Sequence, residues 1–329
     1  MLNKWNLNNI KLFLDICTYC NVGCPQCHRT SKNGLGKIEW LPLIQWTIED
    51  FKKAFPPQQL KPISVFHFCG TWGDPIMVKD ILKICEYILE HNTGGKILFD
   101  TNGSIRNEDW WWDFGVKLED RLEVTFDIDG INQEMHSKYR RFTDLNKILQ
   151  NMLTLSLTKA IVKSKSIIFK HNQNYKKEIE LLTKQHGSID HGFINSDRSF
   201  ENGRDYFINE KNEKDFLEEA ENEKKSSNGI KNKICPWANN NKVVINPDGQ
   251  VLPCCYHANP YYKKYFIDEQ TRLENHEMYL NYYFKNPKDY NVFHTPLSQI
   301  INSNWYSKLL PESIESDTPV VTCVKRCLS

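Results

Sequence analysis

Over roughly the first 200 of 329 residues, short apolar runs alternate about six times with longer stretches whose apolar residues recur every three or four positions. The runs Lys11–Ile16, Ile63–Phe68, Lys96–Asp100, Arg121–Ile128, Ala160–Phe169 and a short His191–Asn195 read as strands. Between them Thr47 with Asp50 three residues on reads as a capped helix start, and Val78, Ile81, Leu82, Ile84, Cys85, Ile88 and Leu89 mark one helical face. Glu108–Phe114, Asp144–Leu157 and Tyr175–Gln185 continue the helical pattern. Antiparallel strands can be joined by two residues, whereas parallel strands need a helix-length crossover. The alternation therefore predicts an α/β fold of parallel βα units, either an open doubly wound sheet or a partial barrel. In both, the loops after the C-terminal ends of the strands build the site.

Those loops hold the unusual residues. The first strand feeds Cys20, Cys24 and Cys27, followed at once by His28 and Arg29. The second delivers Cys69-Gly70-Thr71-Trp72-Gly73-Asp74-Pro75, the third Thr101-Asn102-Gly103, and the fourth Asp129-Gly130. Three thiols at gaps of three and two residues suit one small metal centre. A cysteine-held [4Fe–4S] cluster takes four thiols, so three would leave one iron open. A zinc knuckle completed by Cys17 or His28 is the alternative reading of the loop taken alone.

Composition narrows the setting. Charged residues nearly cancel, for a formal charge of +1, which makes no case for nucleic acid or an anionic membrane. No stretch approaches 18 apolar residues, and the polar start Met1–Asn9 shows no secretory pattern. A cytoplasmic, reducing location is the expectation, in which eleven cysteines serve metals or redox chemistry rather than disulfides.

From residue 206 to 233 the chain turns rich in Glu, Lys, Asn and Ser, and reads as a charged linker or solvated helix between a domain of residues 1–205 and one of 234–329. In the second, Asn246-Pro-Asp-Gly249 between two apolar runs predicts a hairpin in a small sheet, bringing Cys235 and Cys254 together. With Cys323 and Cys327 near the end, four thiols could close a second cluster completely. The intervening region, about 256–311, reads as an irregular, partly helical insert.

These residues carry a family resemblance. The Cys20, Cys24, Cys27 loop resembles the signature of radical S-adenosylmethionine (SAM) enzymes. Gly70–Pro75, Thr101–Gly103, and Phe126–Gly130 with His136 and Tyr139-Arg140 resemble further segments of that family, in order. Asp248–Cys254 and the tail cysteines resemble the auxiliary-cluster (SPASM or twitch) domain of one subgroup. The resemblance implies a partial (β/α)6, TIM-like barrel followed by a small auxiliary domain. It implies SAM on a three-cysteine [4Fe–4S] cluster, reductive cleavage to a 5′-deoxyadenosyl radical, and hydrogen abstraction from a substrate. It further implies a second [4Fe–4S] cluster held by Cys235, Cys254, Cys323 and Cys327. Gly70 and Gly73 would let backbone approach SAM, Asp74 would bind its ammonium or cap the next helix, and Arg140, ahead of Arg141, would face its carboxylate. Asn102 and Asp127 would reach the ribose or methionine end, or tie down their own turns. Gln26 stands where the family has an aromatic residue, and Asp74 where it has Glu.

Many auxiliary-domain members modify peptides, so a peptide or protein substrate is expected, with a small molecule such as a sugar or alcohol as the alternative. An external electron donor such as flavodoxin or ferredoxin is implied. A non-catalytic iron–sulfur carrier or zinc module is the rival of another class. Cys17 and Cys69 read as packing thiols, Cys85 as core, and Cys255 as a rival to Cys254. Consecutive helical residues point about 100° apart, so Trp110, Trp111 and Trp112 cannot all be buried on one narrow face. No residue is assigned as base or radical relay.

Overall fold

The computed structural model describes residues 4–196, 203–221, 234–258, 282–283, 285–316, 323 and 327. Strands β1 (Ile10–Leu14), β2 (Ile63–Phe68), β3 (Lys96–Thr101), β4 (Leu122–Asp127), β5 (Ile161–Ile168) and β6 (His191–Asn195) lie side by side in chain order. Every adjacent pair among them is parallel. Helices α1 (Ile48–Ala54), α2 (Pro57–Leu60), α3 (Ile81–His91), α4 (Glu108–Leu118), α5 (Gln133–Ser137), α6 (Leu145–Ser156) and α7 (Lys176–Gln185) supply the crossovers. A doubly wound sheet reverses its strand order at a switch point. This one does not, so the arrangement is that of a partial (β/α)6 barrel.

Local signals act where the sequence puts them. Thr47 caps α1: its Oγ1 accepts from Asp50 N at 3.1 Å, and Asp50 Oδ2 accepts from Thr47 N at 2.9 Å. Along β2–β5 alternate side chains go to opposite faces. One set, including Phe66, Phe68, Phe99, Val124 and Phe126, is buried beneath the helices. There Phe99 meets Phe114 edge-on at 5.3 Å, and Trp111 lies 5.1 Å from Phe126. Each such side chain contributes about 1.5–3 kcal/mol by leaving water. The other set, including His67, Asp100, Thr125, Asp127 and Lys165, is half-buried and faces the interior of the barrel.

Of the three tryptophans, Trp111 is fully buried, Trp110 stacks on Phe114 at 4.7 Å, and Trp112 is 45% exposed. Cys85 is buried on the apolar face of α3.

Two expectations about the second half change. Part of the anticipated linker forms an antiparallel hairpin, β7 (Arg204–Ile208) and β8 (Lys214–Glu218). Phe207 and Leu217 on its inner face pack with Val22, Cys24, Leu35, Tyr139 and Phe169, so the hairpin covers the cysteine loop. The charged residues around Phe207 and Leu217 are what made the segment look solvated. Residues 222–233 lie outside the described set.

The predicted hairpin at Asn246–Gly249 also forms, with Gly249 at φ +85°, but not in a sheet of its own. β9 (Lys242–Ile245) pairs parallel with β1, and β10 (Val251–Leu252) pairs antiparallel with β9, so the main sheet grows to eight strands. Among the described residues, the expected boundary near 234 is therefore bridged by backbone hydrogen bonds. The expected insert holds helices at Leu297–Asn302 and Leu310–Glu315, whose Leu297, Ile300, Ile301, Leu310 and Ile314 join the main core. Its residues 259–281 lie outside the described set. Among the described residues, no helix is long and apolar enough to cross a membrane.

Candidate metal centre and cofactor site

The loop carrying Cys20, Cys24 and Cys27 leaves the C-terminal end of β1 and is tied down on both flanks. Thr18 donates from N to Ile44 O at 2.8 Å and from Oγ1 to Pro42 O at 2.6 Å. Arg29, buried, donates from Nε to Thr18 O at 2.9 Å, which makes it a brace of the loop. Cys17 turns back on its own chain, its Sγ accepting from Tyr19 N at 3.3 Å, as expected of a packing thiol.

The loop after β2 lies directly against this one. A Cβ on Gly73 would sit 2.4 Å from Cys17 O and 2.7 Å from Tyr19 O, and one on Gly70 would sit 2.8 Å from Gly73 O. The missing side chain of Gly73 is thus used for contact between the two loops, and that of Gly70 for the tight turn of its own loop, before any cofactor is considered. Asp74 N donates to Tyr19 O at 2.7 Å and completes the seam. Backbone atoms cannot step aside as a side chain can. Gly73→Ala is expected to destabilise the protein by about 1–3 kcal/mol and weaken SAM binding, read by thermal melting and equilibrium dialysis. Unchanged melting and affinity would show that the loops have room to part.

Asp74 is buried, and burial lifts its carboxyl to about 6 against the hydrogen bonds it accepts. Its Oδ1 accepts from Ile76 N at 3.0 Å, capping the short helical turn Pro75–Met77. Thr101 Oγ1 donates to it at 3.0 Å, and Asn102 donates from N at 2.8 Å and from Nδ2. Of the two roles expected for Asp74, the cap is the one seen. Its shorter side chain is committed to positioning Asn102, whose Nδ2 also reaches Asn21 Oδ1 at 3.2 Å and lies 4.0 Å from Cys20 Sγ. Asn102 Oδ1 accepts from Ser104 N at 2.9 Å, tying its own turn.

Arg140 and Arg141 separate clearly. Arg140 enters the barrel, with Nη1 3.1 Å from Asp127 Oδ2, Nε 2.6 Å from Asp129 Oδ2 and Nη1 3.8 Å from Cys24 Sγ. Burial opposes its charge, but Asp127 and Asp129 outweigh that and hold the guanidinium firmly protonated. Arg141 faces outward to Asp215 and Glu210 of the covering hairpin and lies over the Phe207 ring. The preference for Arg140 on the cofactor side agrees with this placement. The difference is that its charge, and that of Asp127, is already paired.

Two residues escaped the sequence reading. Asp15, at the end of β1, is fully buried and accepts from Thr71 N at 3.0 Å; burial pushes its carboxyl to about 7. Asp129 does more than close a turn: besides Arg140, its Oδ1 accepts from Ile167 N at 2.6 Å. An acid following an apolar strand signals both, but only the fold shows what it holds.

At the other site, Cys235, Cys254, Cys323 and Cys327 line one small cavity with Trp237, Tyr256, His257 and Ile314. All four thiols predicted to close a second cluster are brought together. Cys254, rather than Cys255, faces this cavity, and Cys323 Sγ lies 3.5 Å from His257 Nε2.

The donor sets suit iron–sulfur clusters. Burial pushes the Cys20 and Cys323 thiols to about 12 and Cys24 well above its ordinary range, so these groups ionise only against a metal. Donors already point at the sulfurs, Arg140 at Cys24 and Asn102 at Cys20. Among the described residues, no three His, Cys, Asp or Glu side chains are arranged to hold a single ion. Cluster thiols need no such convergence, because each binds its own iron. Beside the loop, Gln26 Oε1 accepts from Ser196 Oγ at 2.9 Å, while its buried Nε2 has no partner among the described residues and would suit an acceptor on a bound cofactor.

Comparison with known proteins agrees with this geometry. Residues 235–328 match the model of the SPASM iron–sulfur cluster-binding domain. Over 87% of its length the chain is 27% identical to a cysteine-type anaerobic sulfatase-maturating enzyme of Clostridium novyi (strain NT), covering 83% of that protein. In fold it resembles anSMEcpe with bound AdoMet, at a TM-score of 0.56 and 14% identity over 94% of this chain and 83% of that one. It also resembles Streptococcus suis SuiB bound to precursor peptide SuiA, at 0.53 and 11% over 97% and 76%. Fold, cysteine loop and C-terminal domain together resemble those of radical SAM proteins with a SPASM domain. Within that likeness, residues 235–328 correspond to an iron–sulfur cluster-binding domain.

Proposed function

We propose that this enzyme is a maturase that acts on a cysteine residue within a peptide or protein. The similarity to the cysteine-type sulfatase-maturating enzyme, over 87% of this chain, carries this reading. When bound, SAM and its cluster supply one-electron, hydrogen-abstracting chemistry that no side chain can supply.

The chain's own residues do the rest. Cys20, Cys24 and Cys27 would hold the first cluster, leaving one iron open to SAM. Gly70 shapes the second loop, Gly73 and Asp74 hold it against the cysteine loop, and Asp74 aims Asn102 at that loop. Asp127 and Asp129 hold Arg140, whose N–H faces Cys24 Sγ and lends hydrogen-bond support to the thiolate. The hairpin of β7 and β8 covers the loop and keeps water from it. Cys235, Cys254, Cys323 and Cys327 would close the auxiliary cluster, in keeping with a structural or electron-carrying role. A small one-electron carrier such as flavodoxin or ferredoxin would feed the first cluster.

Anaerobic incubation with SAM, a reductant and a peptide deuterated at the cysteine Cβ tests the proposal. Deuterium should appear in 5′-deoxyadenosine. Label-free 5′-deoxyadenosine from every cysteinyl peptide, with transfer from a deuterated sugar or alcohol instead, would overturn it.

A further inference from the structure

The mechanism above leaves His67, Asp100 and Lys165 unused, titratable side chains that stand in a row with Asp127 on the barrel's interior face. His67 of β2, Asp100 of β3, Lys165 of β5 and Asp127 of β4 all point away from the helix-covered side. His67 Nε2 lies 2.9 Å from Asp100 Oδ2, and Lys165 Nζ lies 2.9 Å from Asp100 Oδ1 and 3.7 Å from Asp127 Oδ1. Their side chains are 13–25% exposed, so they are neither sealed in a core nor spread on the outer surface.

The row joins the two thiol sites. From Asp127 it continues through Arg140 to Cys24. In the other direction the His67 ring lies 4.6 Å from Phe13, and Phe13 lies 4.9 Å from Trp237, which lines the auxiliary cavity. A substrate between the clusters would lie against this face.

The arrangement at its centre is directional. Burial opposes the charge on Asp100, yet Lys165 and His67 more than offset this and hold its carboxyl well below the usual range. Asp100 therefore stays an acceptor. An imidazole whose Nε2 faces a fixed carboxylate keeps its proton on that nitrogen, which leaves the Nδ1 lone pair free to accept. Among the described residues, nothing hydrogen-bonds His67 Nδ1.

We propose that His67, oriented by Asp100 and Lys165, is the proton acceptor for the substrate's thiol. In this step the substrate S–H bond breaks heterolytically, the proton moves to His67 Nδ1, and the electron pair stays on sulfur. Negative charge on sulfur eases removal of a hydrogen atom from the adjacent carbon. His67 is the catalytic residue, and Asp100 and Lys165 are positioning residues. The inference rests on the peptide-cysteine reading for its substrate but not for its geometry.

Two measurements on the reconstituted holoenzyme test it. In ¹⁵N spectra of histidine-labelled protein, assigned with His67→Gln, the His67 ring should carry its proton on Nε2, and Asp100→Asn should disturb that state. A proton on Nδ1 would overturn the proposal whatever the substrate proves to be. In kinetics, His67→Ala should lower peptide turnover about 10²–10⁴-fold, with SAM and peptide Kd within about threefold of wild type. Added imidazole should restore about tenfold or more, which a structural role would not allow. Turnover within about threefold of wild type, or a loss mirrored in peptide Kd and not rescued, would refute the assignment. If wild type converts no cysteinyl peptide, the maturase reading fails, and the ring tautomer still decides the orientation of His67.

Discussion

Replacing Cys24 by alanine is expected to lower the iron content from about eight to about four per chain and to abolish SAM cleavage. Cys24 is the buried thiol that Arg140 faces, and it packs with Val22, Tyr139, Phe207 and Leu217 under the covering hairpin. Truncating one thiol removes little of that packing, so circular dichroism should stay close to wild type while 5′-deoxyadenosine falls below detection. The double variant Cys323→Ala with Cys327→Ala makes the complementary case. Its iron should also fall to about four per chain, yet SAM should still bind, because the open iron belongs to the other cluster. Full iron retained by Cys24→Ala would remove this cysteine from the ligand set, and SAM binding lost in the tail variant would mean the two sites are not separable.

A comparably large effect, on stability rather than chemistry, is expected for Arg140→Met. The guanidinium neutralises two carboxylates, one of which, Asp129, has no exposed side-chain surface. Removing one partner of a buried pair leaves a charge that neither water nor protein compensates, at a cost of about 3–5 kcal/mol. The melting temperature should fall by roughly 10 °C. Adding Asp129→Asn should recover part of the loss, since an amide carries no charge to strand. Arg141→Met is the control: its partners Asp215 and Glu210 are 42% and 45% exposed, so about 1 kcal/mol or less is at stake. Equal melting shifts in the two variants would mean that the Arg140 network is hydrated and cheap to break.

Much of the site was legible because it lies in short stretches directly after strands. Cys20–Cys27, Gly70–Pro75 and Thr101–Gly103 are each contiguous, and period and spacing alone put them at one end of a parallel sheet. The tail thiols were legible for another reason: the Asn246–Gly249 turn and the Cys323, Cys327 spacing leave few ways to pair them. What was not legible depends on facing. Asp74 is one methylene shorter than the family's Glu, and whether it met SAM or capped its own turn could not be read from length. In the structure Ile76, Thr101 and Asn102 occupy its oxygens. The hairpin of β7 and β8 was missed because Phe207 and Leu217 are its two deeply buried apolar residues amid charge, too few for a periodic signal. The wide split between His67, Asp100 and Lys165, which stand on three strands, hid their row altogether.

The sequence by itself determined the alternation of strand and helix, the open three-thiol loop and the class of chemistry, because each depends on neighbours along the chain. Only the tertiary structure decided that the C-terminal hairpin extends the main sheet beside β1, that Arg140 rather than Arg141 enters the barrel, and that a charged row connects the two thiol sites. Parallel strands set residues dozens of positions apart into contact about 5 Å from one another. Which side chains meet across that spacing is set by register and pleat, and no local pattern records it.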